Sequence, residues 1–314
     1  VIPVCNLAFA QLAAPADSFL NQQVKGGTEG TAYFGEANLV RVTGTFSYIS
    51  GMSAFVQVAS LLGIGLYLAG IRSRLFLAGL GFTLATLPAT GSRSVLAIVM
   101  AGAAIMLLTA LASRLIGLAS ALRILAILAI LVGISLSTQD AAWEAFAQRV
   151  EETRHDENRA ATAFTNAFDF ADLAGLTGFG TGAANLGAPA LAKDVAPFSW
   201  LPDTGFEEES GRLVLELGSF GWMLSLSMRL AIFLWAASLS LQGRTRAIRA
   251  VAMLALPVTA LAIQQGNGVF GASFAPVYYW FCVALLAMAE YEQKKPRPAR
   301  PRPQEGRWQG AWAQ

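Results

Sequence analysis

Glu207-Glu208-Glu209-Ser210-Gly211-Arg212 places four charges in six residues, directly against the apolar run Leu213–Leu241. A charge inside lipid is costly, so a cluster at the mouth of a membrane helix marks either a topology device or chemistry at the membrane surface. Two isolated arginines join the same reading. Arg41 opens Arg41-Val42-Thr43-Gly44-Thr45-Phe46, and Arg93 lies in the short turn Gly91-Ser92-Arg93-Ser94. Arginine grips phosphate groups bidentately and does not lose its charge. Ser92 or Ser94 can cap the helix that follows, and a helix N-terminus favours an anion. A nearby carboxylate can take the proton of an attacking hydroxyl. Together these residues suit transfer of a group from a phosphorylated lipid to a hydroxyl acceptor. Glu207 and Glu209 are the candidate catalytic carboxylates. Arg41, Arg93 and Arg212 are the candidate pyrophosphate ligands, with Glu216, Ser92 and Ser94 in support.

Each residue also has a plainer role. Arg41 and Arg93 suit snorkelling at a membrane interface. Acidic residues favour the first turn of a helix, which alone would account for Glu207–Glu209. Arg212 and Glu216 are four apart, the spacing of an intrahelical ion pair. Glu216 and Arg229 lie within an apolar run, and Arg229 there marks a break, a water cavity or the approach to the far surface. Gly178-Phe179-Gly180-Thr181-Gly182 is a glycine-rich turn of low specificity. One histidine, His155, excludes a histidine-rich metal site, and Cys5 and Cys282 read as small buried hydrophobes. No metal and no cofactor is expected.

The elements that must position these groups are membrane helices. Hydrophobic residues form 55% of the chain and charged residues 13%, against about 25% charged in a soluble domain. The net charge of +2 carries little information because charge is sorted by region. Apolar runs near spanning length are Met52–Gly70, Leu75–Thr90, Val95–Ala112, Leu118–Ser135, Leu213–Leu241 and Ala250–Gln264. Ala275–Glu290 is a seventh, and Val1–Ala14 reads as the tail of an eighth whose start is missing. Pro88 and Pro257 fall inside two of these runs, which a bundle tolerates. The expectation is an all-α polytopic bundle of about seven or eight transmembrane helices with a large external loop.

Lys and Arg set the orientation. Arg72 and Arg74, Arg114 and Arg123, Arg244 to Arg249, and the tail from Lys294 all fall on one face if the helices alternate. That face reads as cytoplasmic, and segment 26–51, turn 91–94 and loop 137–212 fall on the other. Four regions follow: membrane helices with arginine motifs over 1–136, an external loop with interfacial helices over 137–212, C-terminal membrane helices over 213–293, and a basic, proline-rich, disordered tail over 294–314. That tail suits anionic lipid rather than nucleic acid.

The ordered set Arg-x-x-Gly-Thr-Phe, then Gly-Ser-Arg-Ser between two helices, then a long external loop, then Leu-Glu-Leu-Gly-Ser-Phe-Gly resembles the bacterial O-antigen ligase and O-antigen polymerase superfamily. The resemblance covers roughly residues 41–241. It implies a multi-pass protein of the bacterial inner membrane, with a periplasmic active face and a cytoplasmic C-terminus. It implies a lipid-linked glycan donor carried on undecaprenyl pyrophosphate, a glycan or lipid acceptor, and inverting transfer without a metal. Further partners would be membrane lipids and other polysaccharide-assembly proteins. Arg93 and Arg41 resemble the arginines that engage the pyrophosphate. Nine residues before Glu216, where the family commonly carries a histidine, this chain has Glu207, and Glu208 stands where the following asparagine is expected. The family usually has more helices, so the resemblance implies an N-terminal part outside this chain. Two other classes compete: a transporter or flippase for a lipid-linked or anionic solute, using Glu216 and Arg229 along its path, and a non-catalytic membrane scaffold in which Arg41, Arg93 and the glutamates lie apart.

Overall fold

The helices form where the apolar runs predict them, with informative departures at their ends. The computed structural model describes residues 1–15, 17–21, 33–34, 39–46, 49–126, 130, 165, 167–184, 209–264 and 275–296. Helix α1 is Ile2–Ala13, α2 is Ile49–Ala69, α3 is Arg74–Thr86 and α4 is Arg93–Ala112. After them come α5, Glu209–Gln242, α6, Arg246–Gln264, and α7, Ala275–Lys294. Residues 118–126 are also helical, and the remainder of the predicted run to Ser135 lies outside the described residues save for 130. Glu207, His155, most of loop 137–212 and the tail beyond 296 lie outside them as well. One element was not expected in an all-α chain: a two-residue antiparallel ladder, β1, Tyr33–Phe34, with β2, Leu39–Val40.

Four helices are long and apolar enough to cross a membrane: Ile49–Ala69, Ser94–Ala112, the helix beginning at Glu209, and Arg246–Ile263. The chain is therefore a helical membrane protein. Among the described residues the count stays below the expected seven or eight for physical reasons. The run Leu75–Thr90 does not continue as one helix. It stops at Thr86, and Pro88, which has no amide to donate, starts a separate 3-10 turn, Pro88–Thr90. At 1.5 Å per residue, α1 and α3 reach only about 18–20 Å, short of a hydrocarbon core of about 30 Å. Helix α7 is long enough, but Glu290, Glu292 and Lys294 occupy its last turns.

The core is built on close approach at small residues. A methyl group on Gly65 of α2 would lie 2.4 Å from Leu254 of α6, and one on Gly102 of α4 would lie 2.4 Å from Leu61 of α2. Without a side chain there, α2, α4 and α6 pack backbone against side chain, as membrane helices do. Met52, Val56, Leu61, Met106 and Met253 fill this core. A second cluster joins the later part of α5 to α6 and α7 through Leu239, Ala252, Tyr279 and Leu286. At one end of the bundle the basic turns are tied together. Arg246 Nη2 donates to Leu115 O at 3.0 Å, Arg249 donates to Ser113 O, and Arg244 bonds to Gln293 and Lys295 O. Three of the four predicted basic groups thus meet at one end.

The largest departure is in α5. The single apolar run Leu213–Leu241 is two helical pieces joined at Gly218, whose φ of 72° and ψ of 176° are not helical. We call residues 209–217 α5a and residues 219–242 α5b. Glu209 Oε2 lies 2.9 Å from Arg229 Nη1, although a straight helix would hold positions 20 residues apart at about 30 Å. The two pieces therefore fold back on each other. The hydrogen bonds lost at the break are replaced by the glycine-rich turn. Phe179 N donates to Leu215 O at 2.8 Å and Gly180 N to Glu216 O at 3.0 Å. In return Ser219 N donates to Gly175 O at 3.0 Å and Phe220 N to Leu176 O at 3.3 Å. Ser219 and Phe220 are the donors that a continuous helix would have given to Leu215 and Glu216. Buried backbone groups must find partners, and here the turn exchanges two acceptors for two donors.

This exchange requires glycine at both contact points. A methyl on Gly218 would sit 2.2 Å from Leu176 O, and one on Gly178 would sit 2.5 Å from Gly218 N. Both residues also have positive φ. By contrast, a methyl on Gly79 of α3 would meet nothing within 4 Å. Gly218→Ala and Gly178→Ala should each destabilise the detergent-solubilised protein by about 3 kcal/mol or more, strain and overlap combined. Gly79→Ala should be neutral or stabilising by up to about 1 kcal/mol. Thermal unfolding of the three variants side by side checks this ordering.

Candidate functional site

Gln11 begins the construction of the site. It is a buried amide in an apolar helix, and it fixes the segment that carries Arg41. Its Oε1 accepts from Gly44 N at 2.8 Å, and its Nε2 donates to Leu20 O at 3.0 Å and to Thr43 Oγ1 at 3.3 Å. Gly44 takes a left-handed φ of 57°, which turns the chain beneath Met52. Val42 is fully buried beside it. Arg41, one residue earlier, is half-buried, and its Nε donates to Thr90 O at 3.2 Å.

Thr90 closes the 3-10 turn at the head of α4. Its hydroxyl donates to Leu87 O at 2.8 Å and accepts from Ser92 N at 3.3 Å. Gly91 then takes a left-handed φ of 59°, and Arg93 is the first residue of α4. The two arginine motifs, 52 positions apart in sequence (93 − 41), are therefore joined by the Arg41–Thr90 bond. Ser92 occupies the N-cap position as predicted, but its hydroxyl makes no capping bond. It lies 3.0 Å from Ser94 Oγ instead. That corrects the expected capping role: the two hydroxyls pair with each other at the surface of the turn. Arginine backbone at a helix N-terminus, two hydroxyls and a second arginine motif form a setting suited to an anion.

The acidic cluster resolves differently. Glu209, expected to face an acceptor hydroxyl, faces Arg229 instead. Both are almost wholly buried, with Arg229 at 0% and Glu209 at 3% exposure. The same Arg229 Nη1 donates to Ala262 O at 2.8 Å. Ala262 lies in the last turn of α6, where carbonyls have no helical donor, and a cation there also complements the helix dipole. Arg229 thus ties α5b to α5a and to the end of α6. The buried hydroxyls with no hydrogen-bond partner among the described residues include Ser210 Oγ, next to Glu209, and Tyr279 Oη.

Arg212 and Glu216 form the predicted intrahelical pair, Nε to Oε1 at 3.1 Å. Arg212 keeps 27% of its side chain exposed, whereas Glu216 is nearly buried. The apolar side of α5a, with Leu213, Val214 and Leu215, packs under Ala167 and Ala174, and Phe168 stacks edge-on against Trp222 at 5.5 Å. Segment 167–184 is therefore a lid over α5a, and its glycine-rich turn is a structural seam.

Several of these roles lay outside the sequence reading. Gln11 and Thr90 carried a weak signal, as polar residues at the edges of apolar runs. Arg229 was visible as a charge out of place, but its partner was not. Among the described residues no group of three or more His, Cys, Asp or Glu side chains gathers as metal ligands would. No family model, curated protein or solved structure matches the chain.

The two ion pairs should separate clearly in stability. Arg229→Met takes the matching charge from buried Glu209, at a cost of about 3–5 kcal/mol. Arg212→Ala breaks a partly exposed pair and should cost clearly less. Unfolding midpoints of the two variants in the same detergent measure the difference, and equal losses would contradict it.

Proposed function

We propose that this chain transfers glycan from a lipid-pyrophosphate-linked donor to a sugar hydroxyl acceptor, at the membrane face opposite the basic end of the bundle. In this reading it is a metal-independent glycosyltransferase of surface polysaccharide assembly, a polymerase or a ligase, in the bacterial inner membrane with its active face periplasmic. The observation that carries the proposal is the Arg41 Nε–Thr90 O bond, 3.2 Å, which brings two arginine motifs to the head of one 20-residue membrane helix. A scaffold whose arginines serve only topology gives no reason for that convergence. Arg41 and Arg93 bind the pyrophosphate, Ser92 and Ser94 hydrogen-bond its oxygens, and Arg212 adds a third cation. Glu207 is the base for the acceptor hydroxyl, while Glu209 has the structural partner described above. An ordinary glutamate, with a pKa of about 4.3, is ionised near neutral pH and able to accept that proton. An apolar groove of about 700 Å³ among α1, α2, α3 and α7, lined by Phe55, Leu62, Leu80 and Tyr278, has room for part of an isoprenoid chain.

One observation favours a second reading. A membrane helix broken at Gly218, with a buried ion pair beside the break, matches the discontinuous helices that transporters use. Transport of a lipid-linked or anionic solute is therefore the alternative.

In a host that depends on this protein for long-chain surface glycan, Arg93→Ala and Glu207→Ala should each reduce polymer by at least about tenfold, the loss of about 1.4 kcal/mol or more at the transition state. Gel analysis of the glycan at matched protein levels reads this. Normal polymer from both variants would overturn the proposal, and solute uptake by reconstituted vesicles without glycan transfer would establish the alternative.

A further inference from the structure

The short helix α5a is held at both ends and free along one edge. At its deep end Glu209 is bound by Arg229, 2.9 Å away and fully buried. At its other end the Gly175–Gly180 turn exchanges four backbone hydrogen bonds with residues 215–220. Its apolar face is covered by Ala167 and Ala174. What remains is Arg212, three residues, or nearly one turn, beyond Glu209. Its Nε is taken by Glu216, and among the described residues the outer edge of the guanidinium fork, Nη1 and Nη2, has no other partner. A braced arginine with an open fork edge is suited to two acceptor oxygens of one phosphate.

We infer that Arg229 is a positioning residue for Arg212: through Glu209 it holds α5a folded back against α5b, so that the open edge of Arg212 is presented to an anion in one orientation. This rests on the reading of Arg212 as a pyrophosphate ligand, and it adds a residue that touches no substrate. The reasoning is geometric. Gly218 is the joint between α5a and α5b, braced by the glycine-rich turn, and α5a is nine residues long, about 13 Å. In a lever of that length, clamped at the joint and packed along one face, the far end is the part least fixed by those contacts. Arg229 anchors that far end, and Ala262 O in turn anchors Arg229 to α6 at 2.8 Å. Glu209 Oε2 and Ala262 O both accept from the single nitrogen Nη1, so a lysine at 229 keeps the charge and a donor but not the rigid planar frame that places it.

Binding of inorganic pyrophosphate to the purified full chain in nanodiscs tests the inference. A buried pair replaced by apolar side chains of similar volume often leaves stability unchanged, so the double variant Arg229→Met/Glu209→Leu separates positioning from folding. That variant should retain its unfolding midpoint yet bind pyrophosphate about tenfold or more weakly, as Arg212→Gln does. Arg229→Lys should recover part of the loss. A folded double variant with wild-type affinity would overturn the inference. A wild-type protein that binds no pyrophosphate would instead sink the pyrophosphate reading, and positioning is then read from distances alone. Spin labels at Arg212→Cys and Ser94→Cys, with Cys5→Ala and Cys282→Ala, should give a narrow distance distribution with Arg229 and Glu209 present and a broad one in the double variant. Identical distributions would overturn the positioning claim whatever the ligand. A double variant that fails to fold leaves Arg229→Lys to decide by the same two readouts, where wild-type binding and a wild-type distribution would count against the inference.

Discussion

A guanidinium with no exposed surface inside a membrane helix has to be neutralised, and most of the unusual geometry here follows from how Arg229 achieves it. Its charge is matched by Glu209 and by the carbonyl end of α6. Glu209 lies four residues before the same apolar run, so the segment from Glu209 to Arg229 cannot be one straight helix. It must turn back, and Gly218 is where it does so. A buried charge left without its partner is far more costly than the loss of a few helical hydrogen bonds, and those bonds are recovered from the glycine-rich turn.

The second consequence is order in segment 167–184. Residues 175–180 are not a loose connection, because they supply the donors and acceptors that the broken helix needs. The helical turn Ala171–Ala174 and Phe168 pack on the same seam. Separately, Gln11 and the Arg41–Thr90 bond fix the arginine motifs at the head of α4. The candidate chemistry therefore rests on two rigid supports, one made by α1 with α4 and one made by the folded-back α5. The proposed transfer needs both supports to serve one ligand.

Periodicity and composition were enough to read the four helices long enough to cross a membrane and the local Arg212–Glu216 pair, because each is set within one stretch of chain. The motifs around Arg41 and Arg93 were legible as residue types, but their meeting was not, since it depends on Thr90 O and on Gln11 more than 30 residues from the segment it holds. The break at Gly218 was hidden because Leu215, Leu217 and Phe220 keep the run apolar on both sides. Nothing local distinguishes that glycine from Gly79, which is an ordinary helical residue. The Glu209–Arg229 pair was hidden for the same reason: a reader who assumes a straight helix places the two charges at opposite depths. The Ser92 cap failed on a rotamer, where the hydroxyl turned to Ser94 and not to the helix amides.

The central claim is that Glu209 and Arg229 touch because α5 folds back on itself. A double-mutant cycle with Glu209→Leu, Arg229→Met and the double variant, read from unfolding free energies, tests it most directly. With about 3–5 kcal/mol lost in Arg229→Met and little in the double variant, the account predicts a coupling of about 3 kcal/mol or more between the two positions. Costs that add within about 0.5 kcal/mol, as expected for residues about 30 Å apart on a straight helix, would contradict it.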